Sequence, residues 1–241
     1  MEKRKNNKKE IRKYLLNNKM PKSSIKNINK IIKLLKQEIK QFENPIATEI
    51  GEKTKDPFLV LISCILSLRT KDTTTGPASK RLFELADNPH NMSKLSKKQI
   101  EKVIFPVGFY PTKAKWIKEV CKILIEEYNG KVPNTEEELL KLPGIGRKCM
   151  GIVMCYGFGK NSHIPVDTHV HKLTNRLGWV KTKTPEKTEQ ELIKIIPRKY
   201  WHDLNNLLVA HGQNVCVPIS PFCSKCYISK YCPRIGIIRS R

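Results

Sequence analysis

Four cysteines fall within 17 residues toward the C-terminal end, spaced Cys216-x6-Cys223-x2-Cys226-x5-Cys232. One short loop can converge four thiolates in this way, and four is the number an Fe4S4 cube needs, because each iron has one open corner. Two other readings use the same residues: a zinc site, which more often pairs two Cys-x2-Cys knuckles where this loop has one, and four unrelated core cysteines. Pro218, Pro221 and Pro233 stiffen a segment that lacks periodicity, so ligation by Cys216, Cys223, Cys226 and Cys232 is expected to hold roughly the last 30 residues together, a structural rather than catalytic role. The other cysteines, Cys64, Cys121, Cys149 and Cys155, stand singly among apolar neighbours and read as core packing.

A second constellation is Leu142-Pro143-Gly144-Ile145-Gly146-Arg147-Lys148, which follows one short amphipathic helix and opens another. Gly144 and Gly146 permit a turn tight enough to bring bare backbone N–H groups against a phosphate. That is the helix-hairpin-helix pattern for gripping DNA without reading its sequence; an ordinary helix-to-helix turn is the competing explanation. Lys148 falls in the first turn of the second helix, where the helix dipole and partial burial both favour a neutral, nucleophilic amine. Asp167, in Ile164-Pro165-Val166-Asp167-Thr168-His169, sits where a helix N-cap is expected, the common structural use of aspartate. A carboxylate there can also face a developing positive charge on a sugar carbon.

The elements that must position these groups are helical. Ile28, Ile31, Ile32, Leu35, Ile39 and Phe42 recur at threes and fours, as one buried helix face requires. Further helices are predicted at 58–68, 75–86, 98–104, 111–127, 136–141, 147–156, 168–177, 186–196 and 199–211, and no convincing strand emerges, so the fold class is all-α. Ser96 before 97–101 and Thr135 opposite Glu138 supply capping signals, and Gly130, Gly178 and Gly212 are expected just beyond helix C-termini.

With 46 Lys and Arg against 22 Asp and Glu, the chain carries a net charge of +24, which attracts polyanions and adds affinity through counterion release. The first 40 residues hold 14 basic and 3 acidic residues, so the rest of the chain is basic as well. The longest mainly apolar stretch, Phe58 to Leu66, falls far short of the roughly 20 residues that cross a bilayer. The start of the chain is charged with no apolar run behind it, unlike a secretory signal. These features predict an intracellular protein without a membrane partner. Glu2 to Lys9, rich in Lys and Asn, reads as a solvated, self-repelling tail.

Taken in this order, the hairpin lysine, the Val-Asp-Thr-His segment and the cysteine loop resemble endonuclease III, a family of bifunctional DNA N-glycosylases. The likeness runs from about Ile28 to Cys232. It includes Leu66-Ser67-Leu68-Arg69-Thr70-Lys71-Asp72 and Gly108-Phe109-Tyr110-Pro111-Thr112-Lys113-Ala114, which look like the family's two segments facing the gap left by an extruded nucleotide.

The resemblance implies a two-lobed fold. A basic tail at 1–21 would precede a discontinuous iron–sulfur cluster domain at 22–56 and 163–241, with a six-helix domain at 57–162 carrying the hairpin near 136–156. DNA would lie across the cleft between the two. Lys148 would attack the sugar carbon bearing a damaged pyrimidine and open the way to β-elimination, while Asp167 would stabilise the cationic sugar, after the target base has been flipped out. Arg69, Phe109, Lys113, Gly144, Gly146, Arg147 and Lys225 would touch DNA, and a [4Fe-4S] cluster would sit on the four cysteines. The partner would be duplex DNA carrying damaged bases or abasic sites, bound by a monomer in the cytoplasm or nucleoid.

The sequence departs from the family in two places. Arg69 stands where many relatives have glutamine, as in what looks like an archaeal branch. Between Cys216 and Cys223 the sequence Val-Pro-Ile-Ser-Pro-Phe has no basic residue, with Lys225 as the nearest substitute. For Phe109, a wedge in the base stack competes with an ordinary core aromatic. A monofunctional mismatch glycosylase and a non-catalytic cluster-bearing DNA-binding module are the alternative functions, and neither requires Lys148 together with Asp167.

Overall fold

The computed structural model describes residues 25–241; the basic tail expected at 1–21 lies outside the described residues. The chain forms two compact units. One joins residues up to Glu43, with helix α1 (Ile28–Glu38), to Val166–Arg241; the other is contiguous, Asn44–Pro165. Among the described residues there is no strand.

The contiguous unit contains α2 (Ile46–Thr54), α3 (Pro57–Ser67), α4 (Asp72–Leu85), α5 (Pro89–Lys94), α6 (Lys97–Ile104), α7 (Tyr110–Tyr128), α8 (Glu136–Lys141) and α9 (Arg147–Ile152). The last runs on into one π-helical turn, Val153–Gly157, where a longer α-helix was expected. At the centre lies α3. Asp56 caps it by accepting the Phe58 N–H at 2.7 Å, and Pro57 supplies the fixed φ suited to a first turn. From Val60 to Leu66 every residue of α3 is buried, so it is apolar all round, as a helix surrounded by others must be. Burying one such leucine contributes about 1.5–3 kcal/mol.

Two helices of this unit lack a sequence forecast. In α2, Gly51 interrupts the apolar pattern for a packing reason: a Cβ there would stand 2.6 Å from the Tyr156 Cβ. That close approach fastens α2 to the residues after α9. The boundary between units therefore falls after Glu43, not after residue 56 as anticipated. The other unforeseen helix, α5, has six residues, with Pro89 first and Asn88 accepting the Asn91 N–H as its cap. At α6 the Ser96–Gln99 capping box is complete. At α8 Thr135 caps the Glu138 N–H, but the Glu138 carboxylate takes the Thr135 hydroxyl, so only half of the reciprocal pattern forms.

The other unit is built from α1, α10 (Thr168–Arg176), α11 (Pro185–Ile195) and α12 (Trp201–Asn214). Both α1 and α10 pack on α12, burying Ile31, Leu35, Val170, Leu173, Leu204 and Leu208. Gly178 follows α10 in the left-handed region, at φ 64°, as a helix terminator should. Gly212 is different. It lies inside α12, where a Cβ would come 2.6 Å from His169 Nδ1, so its glycine lets α10 and α12 approach.

Candidate functional site

The hairpin between α8 and α9 meets its sequence expectation at Gly144 and differs at Gly146. Gly144 has φ 77°, and a Cβ there would lie 2.6 Å from Trp116 Cε3; conformation and packing both demand glycine. Gly146, the N-cap of α9, has φ −99° and ψ 179°, extended backbone open to any residue, with nothing within 4 Å of an added Cβ. Its bareness leaves exposed room beside the first N–H groups of α9, the geometry that receives an anion. Arg147 is exposed next to it, and Lys148, second residue of α9, is half-buried. Inward of Lys148 lie the buried thiols of Cys64 and Cys149, which share a hydrogen bond; that bond and burial push the Cys64 thiol well up. Their pairing is not legible in a sequence that separates them by 85 positions.

Two loops of the same unit carry the other expected contacts. After α3, Arg69 is exposed with φ 50°; before α7, Phe109 is exposed with φ 56°. The left-handed region costs a residue with a Cβ about 1–2 kcal/mol. The Arg69 guanidinium lies 5.8 Å from the Phe109 ring centroid. At 61% exposed, Phe109 is no core residue, which removes that explanation for it. Lys113 corrects an expectation. Its side chain is buried and its ammonium donates to Leu66 O at 2.8 Å, to Leu68 O and to Thr70 Oγ1 at 3.0 Å, so it is committed inside the protein and not to a phosphate. Burial lowers its pKa to about 8.

Asp167 is the N-cap of α10. Its Oδ1 accepts the N–H groups of His169 and Val170 at 2.8 and 2.9 Å, and the residue is half-buried. The capping role expected of Asp167 is therefore present.

The four-cysteine loop follows α12. Cys216, Cys223, Cys226 and Cys232 all line one cavity, together with Leu173, Leu177, Val215, Ile228 and Ile237. Nitrogens from the cavity lining approach the sulfurs: Arg176 Nη1 donates to Cys216 Sγ at 3.3 Å, the Arg234 backbone N–H to Cys232 Sγ at 3.4 Å, and His211 Nε2 is 4.0 Å from Cys226 Sγ. Donors aimed at sulfur suit thiolates, and an apolar wall with four of them suits a polynuclear cluster. Among the described residues no group of three or more His, Cys, Asp or Glu is gathered closely enough to hold a metal ion. Lys225 is exposed, with its ammonium 5.9 Å from the Phe222 ring.

Two supports of this loop have no sequence signal. His211 is buried, its Nδ1 on Glu38 Oε2, while Glu38 Oε1 accepts the Tyr227 N–H at 2.9 Å. Burial opposes an imidazolium there, but hydrogen bonds with Cys216, Cys226 and Glu38 outweigh it and raise the His211 pKa. The residues after Cys232 fold back: the Ile235 N–H reaches Arg176 O at 3.1 Å, the Arg241 N–H reaches Pro221 O at 2.8 Å, and Arg241 O accepts from Ser224.

The family model of the HhH-GPD superfamily base excision DNA repair proteins matches residues 62–198. Endonuclease III of Thermotoga maritima is 46% identical over 182 residues, which cover 76% of this chain and 85% of the relative. The chain belongs to the endonuclease III family. Endonuclease III of Rickettsia conorii is 39% identical, over 74% of this chain and 84% of its own length. Among solved structures, a non-covalent endonuclease III–DNA complex matches with a TM-score of 0.70 at 36% identity, covering 74% of this chain and 84% of the other. A thermostable thymine-DNA glycosylase matches with a TM-score of 0.72 at 27% identity, covering 88% and 96%. No helix among the described residues is long and apolar enough to cross a membrane.

Proposed function

We propose that this endonuclease III family member excises damaged pyrimidines from duplex DNA and then cleaves the strand, with Lys148 as nucleophile. The observation that carries the assignment is Lys148 in the first turn of α9, half-buried, two residues beyond the open backbone of Gly146. An anionic strand held at that helix start brings a deoxyribose within reach of the amine. The Lys148 nitrogen forms a bond to the sugar C1′ as the bond to the base breaks, and the base leaves with a proton. The amine gives up a proton and the C1′–O4′ bond opens, with a proton delivered to O4′, so that the adduct becomes a Schiff base; this acidifies the neighbouring C2′ proton, whose removal expels the 3′ phosphate. Asp167 would face the positive charge that develops on the sugar, in addition to capping α10. Arg69 and Phe109 would occupy the duplex beside the extruded nucleotide, and Gly144, Gly146, Arg147 and Lys225 would line the strand.

Cys216, Cys223, Cys226 and Cys232 would hold a [4Fe-4S] cluster. When bound, the cluster would cross-link a loop that has little regular structure of its own. Purified protein should then be yellow-brown and contain four irons per chain, where a zinc protein would be colourless. The charge and composition favour an intracellular location.

Borohydride should trap wild-type protein on a duplex with an abasic site, and Lys148→Ala or Lys148→Gln should give no adduct. An undiminished adduct in those variants removes the assignment. A second reading, a mismatch glycosylase without lyase activity, draws on the similarity to the thymine-DNA glycosylase; wild-type protein that excises mismatched thymine yet forms no adduct would establish it.

A further inference from the structure

Lys113 is an expensive residue to bury. It is 1% exposed, and the three acceptors of its ammonium are two carbonyls and a hydroxyl, Leu66 O, Leu68 O and Thr70 Oγ1. Burying an ionised group without a fully compensating partner destabilises a protein, and an apolar side chain of similar length generally packs there at lower cost. What the ammonium supplies is three directed hydrogen bonds, all spent on the segment where α3 ends. The negative end of the α3 dipole, at Leu66 and just beyond it, is the local compensation.

That segment is strained and so is its neighbour. Arg69 and Phe109 both occupy the left-handed region, at φ 50° and 56°, and residues held there persist only where surrounding structure over-determines them. The two loops are joined through one atom. Thr70 Oγ1 accepts from Lys113 at 3.0 Å and from the Gly108 N–H at 3.2 Å, and donates to Leu68 O at 3.2 Å. Gly108 fits so closely that a Cβ would lie 3.0 Å from Arg69 O. One ammonium and one hydroxyl therefore fix the spacing of two loop tips, and their outward side chains, Arg69 and Phe109, lie 5.8 Å apart, guanidinium to ring centroid.

We propose that Lys113 and Thr70 form a clamp that holds Arg69 and Phe109 as one preformed element for insertion into duplex DNA beside the extruded nucleotide. Lys113 is then a positioning residue and makes no DNA contact. The inference rests on the proposed roles of Arg69 and Phe109, and it adds that their shared geometry is set from within.

The test uses full-length protein, a duplex carrying a lesion next to 2-aminopurine, and the variants Lys113→Met, Thr70→Val, Phe109→Ala and Lys113→Met/Phe109→Ala. Misplacement of about 1 Å can cost on the order of a hundredfold. Lys113→Met should accordingly slow base extrusion and single-turnover excision by between about tenfold and a hundredfold, with no loss of melting temperature, since a buried charge has gone. Phe109→Ala should slow extrusion comparably. The double variant should be no slower than the worse single one, because two residues acting as a unit are not additive. Thr70→Val, which keeps shape and loses the hydroxyl that joins the two loops, should show the same extrusion defect, and carries the test should Lys113→Met not fold. Wild-type extrusion in Lys113→Met or Thr70→Val, with Phe109→Ala impaired, overturns the clamp and leaves the insertion reading standing. Unimpaired extrusion in Phe109→Ala overturns both.

Discussion

The two hairpin glycines give opposite forecasts for the same substitution. In Gly144→Ala, the new Cβ meets a left-handed backbone, costing about 1–2 kcal/mol. It also meets Trp116 Cε3 at 2.6 Å, and forcing a ring aside costs about 1–3 kcal/mol. The unfolded chain loses freedom on gaining alanine, which returns about 0.4–1 kcal/mol. The net expectation is a loss of about 2–4 kcal/mol, measured by urea unfolding at matched slope. In Gly146→Ala the backbone is unstrained and the Cβ enters open space. The weaker N-cap preference of alanine costs about 0.5 kcal/mol, and the same unfolded-state gain offsets it. Stability should be unchanged within about 0.5 kcal/mol.

Affinity should show the reverse order of effects. If the α9 N–H groups meet a phosphate across Gly146, a methyl group there lengthens those hydrogen bonds. Losing one bond to a charged group is worth about 1.5–3 kcal/mol, or roughly ten- to a hundredfold in Kd. Fluorescence anisotropy on an abasic-analogue duplex at fixed salt reads this directly. A Gly146→Ala protein that binds as wild type, or that unfolds as readily as Gly144→Ala, refutes the reasoning.

Asp167→Asn should keep the α10 cap, because asparagine caps as well as aspartate, and hold stability within about 1 kcal/mol; single-turnover base excision should fall by about a hundredfold or more, and normal excision would confine Asp167 to capping. Glu38→Ala removes the acceptor of His211 and of the Tyr227 N–H and should destabilise by about 3–5 kcal/mol in urea unfolding; a loss under about 1 kcal/mol would show that this buried pair behaves like a surface one. The Lys113 pKa of about 8 lies below its unfolded value near 10.4. Between those values the unfolded chain holds the proton that the folded one has released, so this lysine makes folding more favourable as pH rises. The stability of wild type relative to Lys113→Met should therefore improve from pH 8 to pH 10, and a flat difference would count against the depressed value.

The helices that carry a regular apolar stripe were legible because burial on one face leaves a 3.6-residue trace: α1, α6, α7 and α10 lie within a few residues of expectation. The same logic misses α2, whose glycine is explained only by Tyr156 a hundred positions later, and α5, too short to show a period. At the site, Lys148, Asp167 and the four cysteines stand out through spacing and local signals. Lys113 did not. A lysine reads as surface charge until the carbonyls that surround it are known, and those belong to the end of α3 and the loop after it, more than 40 residues away. The Glu38–His211 contact is likewise invisible, since its partners lie 173 positions apart.

One unit is assembled from both ends of the described chain. During synthesis α1 is made before the contiguous unit, yet the helix that covers Ile31 and Leu35, α12, is made only after the whole of that unit. The contiguous unit can fold as it appears, through contacts close in sequence, whereas α1 must keep an apolar stripe exposed until α12 has been made. The early helix is thus the nascent chain's vulnerable surface, and the helix that shelters it is made much later.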